Sequence, residues 1–121
     1  MTNDPKIINK FNLEERTAKF GEAVIKFANK IPKNVMTSPL INQLVKSGTS
    51  VGANYCEADD AESKSDFKHK IGICKKEARE SKHWFRMISV AVPELTDESR
   101  ILWQEAKELN LIFNAITKKL K

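Results

Sequence analysis

Residues 63–93 read SKSDFKHKIGICKKEARESKHWFRMISVAVP, and the spacing inside this stretch decides the fold. Phe67, Ile71, Cys74, Ala78, Ser81, Phe85, Ile88 and Val92 are separated by gaps that alternate between four and three. That alternation is a heptad seam held for more than three cycles. Ser63 followed by Asp66 is a capping start, and Pro93 closes the run, so a helix is predicted over about 64–92. Downstream, Thr96-Asp97-Glu98 opens a second seam of Leu102, Ala106, Leu109, Phe113, Ile116 and Leu120, which predicts a helix over about 97–120.

Upstream, Ser38-Pro39 combines a capping serine with proline at the first helical position and predicts a helix over about 39–61. Its apolar face is Ile41, Leu44, Val45, Val51 and Tyr55, with Gly48 and Gly52 in the same stripe. A further helix over about 13–31 is predicted from Leu13, Phe20, Val24, Phe27 and Ile31. Asn12 and Glu15 form a capping-box pattern before it and Pro32 stops it. Residues 1–11 read as a loosely held N-terminal arm, and residues 12–121 as the folded domain. Connections of a few residues make successive helices antiparallel neighbours. The expected fold is therefore all-α, an antiparallel up-down-up-down four-helix bundle.

Composition agrees. A chain of 121 residues suits one domain, and 31% charged with 40% hydrophobic residues is the balance of a globular protein. Only 4 Gly and 4 Pro are present, which excludes collagen-like sequence and disfavours an all-β fold. No apolar run approaches the ~20 residues that span a bilayer, so no membrane partner is expected. Met1-Thr2-Asn3-Asp4-Pro5 lacks the basic-then-apolar layout of a secretion signal, and Cys56 and Cys74 do not make a disulfide framework. A cytoplasmic location is the expectation.

The net charge of +5 comes from 21 Lys and Arg against 16 Asp and Glu, and the third predicted helix is where the excess sits. Lys64, Lys68, Lys75, Arg79, Lys82 and Arg86 fall on one stripe beside the apolar seam. Such a stripe can contact phosphates without reading sequence. It also fits an ordinary solvated face whose lysine stems cover apolar neighbours. No aromatic residue interleaves with these cations along the helix, so a stacking platform for single strands is not expected. The opposite flank carries Ile73, Glu77, Glu80 and Trp84, and the second helix has a flank of Gln43, Ser47, Ser50, Asn54 and Glu57. Small and polar residues beside a glycine-containing seam point to a subunit interface or a polar network that fixes register. The alternative is a bundle flank that is merely small. Arg16, beside the apolar stripe of the first helix, is expected to pair with a carboxylate of these flanks.

Catalytic patterns are weak. Glu80-Ser81-Lys82-His83 is a single Glu-x-x-His, whereas di-iron bundles need a second copy and two further inward glutamates. His83 points away from the seam, and the cysteines and histidines fit no zinc spacing. There is no phosphate loop and no nucleophile elbow. Neither a cofactor, a metal nor a catalytic residue is expected.

Residues 43–58, QLVKSGTSVGANYCEA, resemble the signature stretch of the bacterial four helix bundle proteins, also called 23S rRNA intervening-sequence proteins. Phe67, Lys70, Glu77, Ala78, Glu80 and Trp84 resemble the second motif of that family. The resemblance runs from about Leu13 to Leu120, with the first and last helices generic. It implies a small bundle that assembles into a ring, a homopentamer in characterised relatives, with no established catalytic activity. It also implies kinship with the accessory proteins of diversity-generating retroelements, basic pentamers that bind nucleic acid and a reverse transcriptase. The recurrent positions of the family fall here on Ser47, Ser50, Asn54, Glu57, Glu77, Glu80 and Trp84, the two flanks already singled out. Lys46, Gly48, Cys56 and Ala58 depart from its common pattern.

Two readings of function follow. One is a non-enzymatic oligomer whose basic stripe binds RNA or DNA. The other is an interaction scaffold whose basic face binds an acidic protein partner.

Overall fold

The computed structural model describes the backbone of residues 5–120 and the side chains of residues 13–120. Four helices follow one another: α1 (Pro5–Lys30), α2 (Thr37–Asp59), α3 (Lys64–Ala91) and α4 (Thr96–Lys119), with a 3-10 turn at Pro93–Leu95 before α4. No described segment is a strand. The molecule is the four-helix bundle that the two heptad seams predict, and cross-links fix its antiparallel sense. Ser47 meets Ser81 while Glu57 meets Lys70, so α2 and α3 run oppositely. Ser99 reaches Phe85 while Asn110 reaches Lys75, which does the same for α3 and α4. Arg16 pairs with Glu105 and Lys30 with Glu98, closing α4 back on α1. No described helix is long and apolar enough to cross a membrane.

The core lies where the diagonals of the bundle meet. Phe85 of α3 takes the edges of Phe20 and Phe27 from α1, with ring centroids 6.3 and 5.8 Å apart. On the other diagonal Tyr55 of α2 meets Phe113 of α4 at 6.2 Å. Ile71, Cys74, Ala78, Ser81, Phe85, Ile88 and Val92 are all buried, so the α3 seam is core along almost its whole length. Phe67, at its start, is half-buried. Gly48 explains the close approach of α1 and α2: a Cβ there would fall 2.7 Å from a methyl of Val24.

Cys74 sits in this core, and burial pushes its thiol up to about 12, whereas Cys56 is exposed on α2. Only thiolate reacts readily with a disulfide reagent. The native protein is therefore expected to release one equivalent of chromophore quickly from such a reagent, and the second only on denaturation. Two fast equivalents would contradict the placement of Cys74.

Helix starts differ from expectation in two places. α1 begins at Pro5, not Leu13, so Asn12 lies within the helix and not at its start. Proline suits this start because its fixed φ is helical and a first-turn N–H has no partner to lose. Of the arm expected over residues 1–11, residues 1–4 lie outside the described residues and the rest is helical. α2 begins at Thr37, and Ser38 is not its cap. The Asn34 side chain instead accepts from the Met36 and Thr37 N–H groups, both at 2.9 Å. In return, the Thr37 hydroxyl accepts from the Asn34 N–H at 3.0 Å and donates to the Pro32 carbonyl. This is a reciprocal capping arrangement with threonine where a glutamate is usual. Ser63 caps α3 as expected, accepting from the Asp66 N–H at 3.0 Å.

Candidate nucleic-acid interface

Charge in the bundle is sorted by helix face. All three glutamates of α4 are engaged from the α1 side. Arg16 donates to both oxygens of Glu105 at 2.7 Å and to Glu108 at 3.0 Å, and Lys30 donates to Glu98 at 2.6 Å. The fork-to-fork geometry of Arg16 and Glu105 is the strong form of such a pair. The hydrogen bond to Glu105 is the main reason that the guanidinium is held further into its charged range. Arg16 thus joins α1 to α4, and its expected pairing with the α2 or α3 flank is corrected. On the wheel it lay beside the core stripe, but the wheel does not say which helix stands on that side.

The other side of α4 faces cations. Lys64, Lys68, Arg79 and Arg86 are exposed, and Lys75 and Lys82 are half-buried. Among the described residues none of these six forms an ion pair, whereas Arg16, Lys19, Lys30 and Lys70 each do. The Lys82 ammonium stands 5.7 Å from the ring centroid of Trp103 on α4, and Lys107 stands 5.6 Å from the same ring. Arg86, Arg100 and Trp103 line one groove between α3 and α4. The stripe therefore does have an aromatic neighbour. The expectation of none was drawn along α3 alone, and Trp103 is contributed by the next helix.

The small polar flanks are divided by the structure. Ser47 is buried and its hydroxyl accepts from Ser81 at 3.0 Å, a link within the subunit between α2 and α3. Asn54 donates to the Ser50 carbonyl of its own helix at 2.9 Å, and Glu57 holds Lys70 at 2.8 Å. Glu77 is half-buried, which raises its carboxyl above the usual range, and the like charge of Glu80 adds to this. Trp84 is half-buried with His83 edge-on at 4.8 Å. Its indole N–H is buried and is the one such side-chain atom without a hydrogen-bond partner among the described residues. No group of three or more His, Cys, Asp or Glu among the described residues is placed to hold a metal ion.

An all-helical bundle with a cationic groove and an uncommitted small-residue flank defines a class of helical scaffold rather than a single chemistry. The family model of the 23S rRNA-intervening sequence protein matches residues 9–99, and the chain belongs to that family. A protein of unknown function from the S23 ribosomal protein family of Bacteroides thetaiotaomicron has a similar solved structure. It is 23% identical, with a TM-score of 0.77, and the match covers 90% of this chain and 97% of the other. That likeness confirms the fold. No curated protein matches the chain.

Proposed function

We propose that the protein is a non-enzymatic oligomer that binds RNA or DNA through the basic face of α3. The observation that carries the reading is the unpaired state of Lys64, Lys68, Lys75, Arg79, Lys82 and Arg86. Exposed ion pairs contribute little to stability, so what sets this face apart is that six cations without an ion pair lie together on one helix face. The α4 glutamates are drawn to the α1 side, which keeps the field of the α3 face positive. One subunit of net charge +5 attracts a polyanion modestly at physiological salt, where exposed charges are screened beyond about 8 Å. Several copies held together multiply the contacts and supply avidity. Gln43, Ser50, Ile73, Glu77, Glu80 and Trp84 are the residues of the two flanks left to face another subunit, and the homopentamer of related proteins is the assembly we assign to them.

The test is light scattering after size exclusion, with absorbance at 260 and 280 nm on the same peak. The expected result is a mass of several chains and an excess at 260 nm that high salt removes. A peak near 13.8 kDa with a protein-only ratio would contradict both halves of the reading. A scaffold for an acidic protein is the second reading, favoured by the same unpaired cations. Capture of one partner that survives nuclease treatment would select it.

A further inference from the structure

The groove between α3 and α4 has a chemistry that a plain phosphate-binding stripe does not need. It has a volume of about 470 Å³, and Phe85, Arg86, Ser89, Ser99, Arg100 and Trp103 are among its lining residues. The volume falls in the range of small-molecule sites. Small side chains open it. Ser89 and Ser99 both donate to the Phe85 carbonyl, at 3.0 and 2.8 Å, so their hydroxyls are engaged by α3. Trp103 is half-buried, with part of its surface packed on the core and part left to the groove. Lys82 and Lys107, at 5.7 and 5.6 Å from the ring centroid, both lie over the ring within cation–π range, and a base stacking there takes the place of an ammonium group on a flexible stem.

We propose that this groove seats an unpaired base of single-stranded nucleic acid. The base stacks on Trp103, and its flanking phosphates are met by Arg86 and Arg100, with Lys82 and Lys107 beside them. The proposal rests on the nucleic-acid reading of the basic face and deepens it. An acidic peptide would satisfy the cations but leave the indole face without a stacking partner, and a duplex would keep its bases out of reach. A single strand satisfies both, because every base has a face to stack and a phosphate on either side. Arginine suits the rim because its planar fork meets phosphate oxygens two at a time.

The experiment titrates the oligomeric wild-type protein with oligouridylate and, separately, with an RNA duplex of equal phosphate count, following tryptophan emission and affinity. The chain has 2 Trp, so a quench present in wild type and absent in Trp103→Leu is assigned to Trp103. Leucine keeps the site apolar without a stacking face, and circular dichroism with light scattering confirms that the variant remains folded and assembled. The expected result is quenching by oligouridylate and a loss of about tenfold or more in single-strand affinity in Trp103→Leu, with duplex affinity unchanged. Arg100→Ala is expected to weaken single-strand binding as well, without abolishing the quench. Oligouridylate binding without a quench, or with equal affinity for wild type and Trp103→Leu, would overturn the stacking site and leave the basic-face reading standing. An equal loss for duplex and single strand would also overturn it. Failure of both RNAs to bind would remove the stacking site and the basic-face reading together.

Discussion

Phe85→Ala is expected to destabilise the protein by about 3–5 kcal/mol, the cost of emptying a well-packed aromatic site. Phe85 is fully buried and meets Phe20 and Phe27 across the bundle diagonal, so its removal opens a cavity lined from two helices. Its backbone carbonyl accepts from Ser89 and from Ser99, which holds the start of α4 against α3. Those two bonds survive the substitution, and the surroundings are thereby kept from collapsing into the space. The cavity stays open, and the cost belongs at the upper part of the range. Thermal unfolding is expected to fall by about 10–20 °C. A fall of only a degree or two would mean that the diagonal contacts do not form the centre of the core.

The second large effect is on binding. Lys75→Glu combined with Lys82→Glu is expected to weaken nucleic-acid binding by about ten- to thirtyfold at physiological salt, while leaving the fold intact. The figure follows from losing two phosphate contacts, each contributing a salt exponent of about 0.7 to 0.9. Neither lysine makes an ion pair in the bundle, so no carboxylate is orphaned by the change, and Trp103 keeps Lys107 over its ring when Lys82 is lost. The control is Lys19→Glu, which removes the Lys19–Glu15 pair on α1, away from the α3 face. It changes the net charge by the same amount per site, yet its effect is expected to be small. A loss from Lys19→Glu equal, per substituted site, to that of the double variant would mean that binding follows net charge and not the α3 face. A mobility shift with ribosomal RNA fragments measures both.

The bundle was legible in the sequence because heptads of Ile, Phe, Cys, Ala and Leu have one way to be buried at once. Ser63 and Asp66 also gave an unambiguous start to α3. The start of α1 was not legible because Asn12 and Glu15 have the spacing of a capping box, and spacing alone does not distinguish a cap from two polar residues inside a longer helix. The start of α2 was misplaced for the opposite reason. The Asn34–Thr37 pair has a true reciprocal cap, but threonine in place of glutamate made Ser38-Pro39 the stronger local signal. The basic stripe was visible as periodicity, whereas the Trp103 groove was not, because it needs two helices placed side by side. The pairing of Arg16 with Glu105 and Glu108 was hidden likewise, since residues 89 and 92 apart meet only after the chain has closed on itself. One general signal could have pointed to the groove: Trp103 follows Leu102, one step off the α4 seam, and a large aromatic beside a seam is a wall for whatever helix packs there.

The function proposed for the protein is that an unpaired cationic face, repeated around an oligomer, binds nucleic acid through its phosphates. The most direct measurement is the affinity of the wild-type protein for a ribosomal RNA fragment as a function of salt, plotted as log K against log salt concentration. Four to six engaged cations predict a slope of about −3 to −5. A slope shallower than about −1, with weak binding at every salt concentration, would contradict the claim.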